Sequence, residues 1–131
     1  MLTGILIDVV AKTVTEIELD KGLQPMYDAI GCSMVEVTDL GGADLWTDEE
    51  GRLKSAYIDD DGIKHNMNAF TFPGFAMPYM GNGLILGHNG DGESTNSPVS
   101  VEQVKALVTF VEYDNPQDIP QPSCGFVAWD F

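Results

Sequence analysis

Basic residues are scarce in this sequence, which has six Lys and Arg against 21 Asp and Glu and a formal net charge of -15. Proteins that bind nucleic acid directly use Lys and Arg to displace the counterions of the phosphates. The acids are also spread along the chain instead of being confined to a tail. The sequence therefore predicts a strongly acidic surface and no direct binding of DNA or RNA.

Cysteine and histidine are scarce as well, with two residues of each. Cys32 and Cys124 lack the Cys-x-x-Cys spacing of a zinc site, and in a reducing cytosol we expect two separate thiols instead of one disulfide. His65 and His88 stand among polar loop residues, and no nucleophile elbow, metalloprotease motif or phosphate loop is present. We therefore predict neither an enzyme nor a cofactor.

Oxygen-rich loops do not match a metal-binding template either. Asp59-Asp60-Asp61-Gly62 lacks the alternating acids and the closing Glu of a calcium loop. The loop from Asn89 to Glu93 has flexible glycines, and its carboxylates would have to be ordered before they could coordinate a cation. The sequence therefore predicts no metal site.

Long apolar runs are absent, since none approaches the roughly 20 residues that a transmembrane helix needs. The chain starts without a basic segment, an apolar stretch and a cleavage site, so we expect a cytoplasmic protein with no membrane association. Its 131 residues suffice for one hydrophobic core and are too few for two ordinary domains. We predict one domain over residues 1–131, with a Pro-rich C-terminal extension over 113–131.

Several stretches of β-branched and aliphatic residues predict antiparallel strands. Leu2 to Val10 and Thr13 to Glu18 form a first hairpin. Ala43 to Thr47 and Arg52 to Ile58 form a second hairpin around a turn at Asp48 to Gly51. The other predicted segments are strands at Met34 to Thr38 and Gly83 to Gly87, a long loop at Asp59 to Met80 with its aromatic side chains turned inward, and a loop at His88 to Pro98.

Two short helices complete the predicted fold. We expect Asp20 to cap the first helix, which has Pro25 in its first turns and ends at Gly31. Its apolar face is formed by Leu23, by Met26 or Tyr27, and by Ile30. The second helix begins with the capping box Ser100-Val101-Glu102-Gln103, and its apolar stripe is Val101, Val104, Val108 and Val111. The fold class is α+β, mainly an antiparallel sheet with both helices packed on it.

Five segments occur in an order that points to a known family: Ala29 to Val37, Asp48 to Lys54, an Asn that is Asn66 or Asn68, Met80 to Gly87, and Val99 to Val104. This order resembles a small uncharacterised family found largely in bacteriophages and other mobile elements, catalogued as domain of unknown function 3846. The resemblance implies a mobile-element accessory protein. It brings no activity, cofactor or site residue with it.

The acidic character and this resemblance suggest a phage or mobile-element protein that binds and inhibits a host macromolecule. The partner would be a host protein with a basic surface, such as a component of a defence system, because long-range attraction speeds encounters between opposite charges. Within residues 36–61, nine acids oppose Arg52 and Lys54. The candidate surface acids are Glu36, Asp39, Asp44, Asp48, Glu49, Glu50, Asp59, Asp60 and Asp61.

Aromatic residues near the middle of the chain are the remaining candidates. Phe72, Phe75 and Tyr79 would form an apolar rim beside the acidic surface or a loop that covers the core. Two other functions stay open at this point. The chain could bind or sequester a small ligand such as a nucleotide signal, or its charge could serve solubility alone. The sequence also leaves homo-oligomerisation open.

Overall fold

A computed structural model describes residues 1–50, 61, 68–74 and 77–113. Within these residues lie two helices and nine strands, and every paired strand is antiparallel. The predicted α+β class with a mainly antiparallel sheet is therefore confirmed. The predicted C-terminal extension, Cys124 and His65 lie outside the described residues, apart from Tyr113.

The strands form two sheets. The first sheet has the order β2-β1-β7-β4-β3, with β8 paired to the end of β7, and the second has the order β6-β5-β9. The elements are β1 Leu2–Asp8, β2 Thr13–Leu19, α1 Leu23–Ile30, β3 Val35–Asp39, β4 Asp44–Asp48, β5 Asn68–Thr71, β6 Tyr79–Met80, β7 Gly83–His88, β8 Ser94–Thr95, α2 Val101–Leu107 and β9 Thr109–Glu112.

Strand β7 occupies the centre of the first sheet and contributes to cores on both of its faces. Leu84 and Leu86 pack with Met26 and Ile30 of α1, whereas Ile85 packs in the cluster that includes residues of the second sheet and α2. Successive side chains of a strand point to opposite faces, which explains this division. The first sheet is thus the middle layer, with α1 on one face and the second sheet and α2 on the other.

Helix α1 begins after Gly22, which has φ 116° and offers no side-chain cap. The prediction that Asp20 caps this helix is wrong, because the helix starts three residues later and Gly22 occupies the capping position. Pro25 lies in the first turn as predicted, and Gly31 ends the helix in the left-handed conformation at φ 85°. Leu23 is exposed and does not share the buried face that Met26 and Ile30 form.

Helix α2 begins with the predicted capping box. The Ser100 Oγ accepts a hydrogen bond from the Gln103 backbone N–H at 3.2 Å, and the Gln103 Oε1 accepts one from the Ser100 N–H at 2.8 Å. The predicted stripe extends too far, because the helix ends at Leu107 and Val111 lies in β9, paired with β5. No helix in the described part of the chain is long and apolar enough to cross a membrane.

Two predictions for the middle of the chain need correction, and a third involves residues outside the described ones. Strand β4 pairs with β3 on one side and with β7 on the other, so it forms a hairpin with β3, and the predicted partner strand Arg52 to Ile58 lies outside the described residues. The expected loop from Asp59 to Met80 contains β5 and β6, because Phe70 and its neighbours pair with β9. The expected loop after His88 contains the short strand β8.

Candidate functional site

Strand β3 lies at one edge of the first sheet. Within the described residues it is hydrogen-bonded to β4 alone. An edge strand presents unpaired backbone N–H and C=O groups on its outer side, where another extended chain can add to the sheet. Glu36, Val37 and Asp39 on this strand are exposed to solvent. Among the described residues, no strand therefore pairs with the outer side of β3.

Four carboxylates gather at one end of the β3–β4 hairpin, and we call Glu36, Asp48, Glu49 and Glu50 the acidic edge. Asp48 lies opposite Val35 in the strand register. The backbone N–H of Glu49 donates to the Met34 carbonyl oxygen at 3.0 Å, and the Asp48 Oδ1 accepts from the Glu50 N–H at 2.8 Å. These bonds hold the end of β4 beside the start of β3.

The pKa of the Glu36 carboxyl is raised above its usual value. The causes are partial burial of this carboxyl, then the negative charge of Glu49, then that of Asp48. Each of them disfavours a further negative charge at this position. A cation placed among these three carboxylates would relieve the repulsion, so the local electrostatics favour a basic ligand.

Asp39 and Asp44 lie directly opposite each other at the other end of the hairpin. Asp39 is exposed, and its Oδ1 accepts a hydrogen bond from the Gly41 N–H at 2.7 Å. Asp44 is 9% exposed, and its Oδ2 lies 3.0 Å from the His88 Nδ1. The prediction of Asp44 as a surface acid is therefore wrong, because its carboxylate is buried against His88. Sequence alone missed this pair, whose members are far apart in the chain.

Of the remaining predicted site residues, Phe72 and Tyr79 pack against Phe70 and are not part of the acidic edge. Asp61 is exposed, whereas Asp59, Asp60 and Phe75 lie outside the described residues. Phe72 is buried and packs edge-on against Phe70, with ring centroids 5.7 Å apart. Tyr79 is half-buried and stacks on the same Phe70 ring at 5.3 Å. Phe72 is thus a core residue, and its interpretation as part of an exposed rim is wrong.

Two apolar side chains that the sequence did not mark are exposed near the acidic edge. Met34, just before β3, is 47% exposed, and Val37 in the middle of β3 is 51% exposed. Their pattern predicted a half-buried strand, but the edge position of β3 leaves them uncovered. The Gly41-Gly42 dipeptide, with φ of 87° and 141°, was the available signal for the hairpin, since it lies in the turn between β3 and β4.

An apolar pocket of about 270 Å³ lies beside the same turn. Its walls include Leu40, Phe72, Val104 and Leu107, with Gln103 as the polar side chain of the lining. Ligand pockets usually have volumes of about 300–1,000 Å³, so this pocket suits a small apolar group. No three His, Cys, Asp or Glu side chains within the described ranges are arranged to hold a metal ion.

Comparison with known families gives one finding. The family model described as "Domain of unknown function (DUF3846)" matches residues 2–109. This stretch includes the described elements from β1 to α2 and the first residue of β9. Neither the curated proteins nor the solved structures gave a match to the chain.

Proposed function

This chain belongs to the family described as domain of unknown function 3846, and we propose that it acts by binding a basic, extended segment of another protein along the outer side of β3. The observation that carries the proposal is the coincidence of an edge strand with the four carboxylates of the acidic edge at one end of it. Main-chain hydrogen bonds to β3 would supply affinity. The carboxylates would select Lys or Arg in the partner.

Exposed apolar side chains support the same mode of binding. In strand addition, specificity comes from alternate side chains of the added segment that find contacts on the sheet. Val37 offers such a contact in the middle of β3, and Met34 offers one at its start. A partner segment with basic residues flanking an apolar residue would therefore fit this surface best.

The net charge of -15 supports a fast encounter with a basic partner. Opposite charges steer association, and the association rate then falls as salt screens them. Because the charge is spread over the chain, the long-range attraction does not by itself direct the partner to one surface of the protein. The contacts at the acidic edge would determine where the partner finally binds.

The biological setting belongs to the same proposal. The chain would be an accessory protein of a phage or another mobile element, and its partner would be a host macromolecule, such as a defence protein, which it inhibits by covering a basic surface. This requires the host cytoplasm as its location and no catalysis by the chain itself. The basic surface could be the nucleic-acid groove of the partner, since an acidic protein can occupy such a groove.

The experiment compares two triple variants that change charge equally. Glu36→Gln, Glu49→Gln and Glu50→Gln together neutralise three residues of the acidic edge, whereas the control combines Glu16→Gln, Glu18→Gln and Glu93→Gln at exposed positions elsewhere. A partner is captured from host lysate with the wild-type protein and identified. Its affinity for each purified variant is then measured at several salt concentrations.

We expect the acidic-edge variant to bind the captured partner at least about tenfold more weakly, whereas the control loses much less. A second pair of variants tests the strand itself. Val37→Lys places a cation on β3 and should abolish binding, while Val10→Lys changes an exposed valine in the β1–β2 turn and should not. Equal losses of affinity in the two triple variants would mean that the net negative charge of the chain, and not the acidic edge, is responsible for binding.

A negative result has its own interpretation. Charged residues on an edge strand also protect it from pairing with other copies of the chain. If the acidic-edge variant retains full affinity for its partner but self-associates, these carboxylates serve solubility and the proposal is overturned.

A further inference from the structure

Two lysines that are distant in sequence line the same cleft. Lys12 lies in the β1–β2 turn and Lys105 in the last turn of α2, and both border a cleft of about 340 Å³. The described part of the chain contains one other lysine, Lys21. Two of its three lysines therefore converge, although the protein as a whole is strongly acidic.

A carboxylate lies beside the ammonium group of Lys12. The Lys12 Nζ is 3.0 Å from the Glu112 Oε1, and both side chains are about half exposed. Within the described residues Lys105 makes no ion pair. The charged residues that line the cleft are thus both cations, which favours an anionic ligand there despite the negative net charge of the chain.

The backbone at Lys12 is unusual. Asp8 Oδ1 accepts hydrogen bonds from the N–H groups of Val10 and Ala11, both at 3.0 Å, and Lys12 follows in the left-handed conformation with φ 57°. Glycine or asparagine adopts this conformation more readily than lysine does. A lysine at this position therefore carries a conformational cost.

The other lining residues offer both hydrogen-bonding and apolar groups. Thr13 and Thr15 belong to β2, which pairs with β1 alone in the described part of the chain, so the cleft lies against an edge strand. Val108 and Phe110 are half-buried and supply the apolar part of the lining. The volume lies within the range of about 300–1,000 Å³ that is usual for small-molecule sites.

We propose that this cleft binds a small phosphorylated compound with an apolar or aromatic group. The ammonium groups of Lys12 and Lys105 would bind the phosphate, with threonine hydroxyl groups of β2 as further donors. The apolar group would contact Val108 and the ring of Phe110. This inference does not rest on the function proposed for β3, which lies at the opposite edge of the first sheet.

The experiment uses phenyl phosphate as the probe, with inorganic phosphate and phenol as its two halves. Chemical shifts of backbone amides are followed by NMR as each compound is added to the full chain. We expect phenyl phosphate to shift the amides of Thr13, Thr15 and Phe110, and to bind more tightly than either half alone. Lack of any shift at these residues at millimolar concentration would overturn the proposal.

Charge variants separate this cleft from general attraction. Lys12→Gln and Lys105→Gln should each weaken phenyl phosphate binding by about tenfold, whereas Lys21→Gln, which removes the same charge outside the cleft, should have little effect. Glu112→Gln should strengthen binding, because it removes the carboxylate that competes for Lys12. Thermal unfolding of each variant confirms that it is folded. Equal effects of all three lysine variants would contradict the proposal.

Discussion

The contact between Gly83 and Phe70 gives the clearest test of how the two sheets pack. Gly83 is buried in β7, and a Cβ atom added there would lie 2.7 Å from Phe70 Cζ, 3.0 Å from Leu45 Cδ1 and 3.1 Å from Phe70 Cε1. Carbon atoms in favourable contact are about 3.5–4.0 Å apart. The Phe70 ring or the strand must therefore move if Gly83 is replaced by Ala.

The Phe70 ring has little space in which to move. It is 0% exposed and is held between Phe72, edge-on at 5.7 Å, and Tyr79, stacked at 5.3 Å. Overpacking a core costs about 1–3 kcal/mol, and a rigid ring enclosed on two sides favours the upper half of that range. For Gly83→Ala we expect a free energy of unfolding lower by about 2–3 kcal/mol, and a Tm lower by roughly 10 °C.

Urea and thermal unfolding measure this loss, with Gly90→Ala as the control, because a Cβ at Gly90 meets no atom within 4 Å. A double-mutant cycle adds Phe70→Leu, which removes ring atoms from the contact. The double variant should lose less stability than the sum of the two single variants, since the leucine leaves space for the new methyl group. An unchanged Tm for Gly83→Ala, or strict additivity in the cycle, would refute this account of the packing.

Two further predictions concern charged groups. The pKa of Glu36 is raised by partial burial, then by the charges of Glu49 and Asp48. Its protonated form therefore stabilises the fold below pH 4.5, the usual pKa of this group, and this stabilisation is lost as the pH rises through the raised pKa. Glu36→Gln should thus be more stable than wild type at neutral pH, by about 0.5 kcal/mol because the group is exposed. Urea unfolding at several pH values should show that this difference in the free energy of unfolding vanishes in acid. A difference that does not change with pH would contradict the prediction. His88→Ala leaves the buried Asp44 carboxylate without its 3.0 Å contact and should cost about 1–3 kcal/mol. Chemical denaturation measures that cost, and adding Asp44→Asn should recover part of it.

Local signals predicted the elements that depend on neighbouring residues. Ser100 and Gln103 form a capping box through bonds across three positions, so the start of α2 could be predicted from four residues. The apolar run from Leu84 to Leu86 between glycines predicted a buried strand, and β7 is the centre of the first sheet. The end of α2 could not be predicted in the same way, because Val111 belongs to a strand that forms only by pairing with β5.

The candidate site was predictable in its charge and not in its geometry. Glu36, Asp48 and Glu49 come together because β3 and β4 form a hairpin, whereas the sequence predicted a hairpin of β4 with Arg52 to Ile58, which lie outside the described residues. The burial of Asp44 depends on His88 of another strand, and the exposure of Val37 depends on which strand lies at the edge of the sheet. The burial of Asp44 and the exposure of Val37 depend on which strands pair over long range, and the periodicity of the sequence does not predict that pairing.

The two proposed sites lie at opposite edges of one sheet. The cleft of Lys12 and Lys105 borders β2, and the acidic edge adjoins β3, with β1, β7 and β4 between them. Neighbouring strands of a sheet are about 4.8 Å apart, and four such steps separate β2 from β3, so these two edge strands lie roughly 19 Å apart. A protein segment and a small ligand could therefore bind at the same time, and each site can be inactivated by its own variants without touching the other.

Amide hydrogen exchange of the chain, alone and with its captured basic partner, tests directly whether the partner binds along β3. If the partner adds a strand to the sheet, the outward-pointing backbone amides, which alternate along Val35–Asp39, gain hydrogen bonds and exchange more slowly in the complex. We expect this protection in wild type and its loss in Val37→Lys. Protection confined to other parts of the chain, with the exchange of β3 unchanged by the partner, would contradict it.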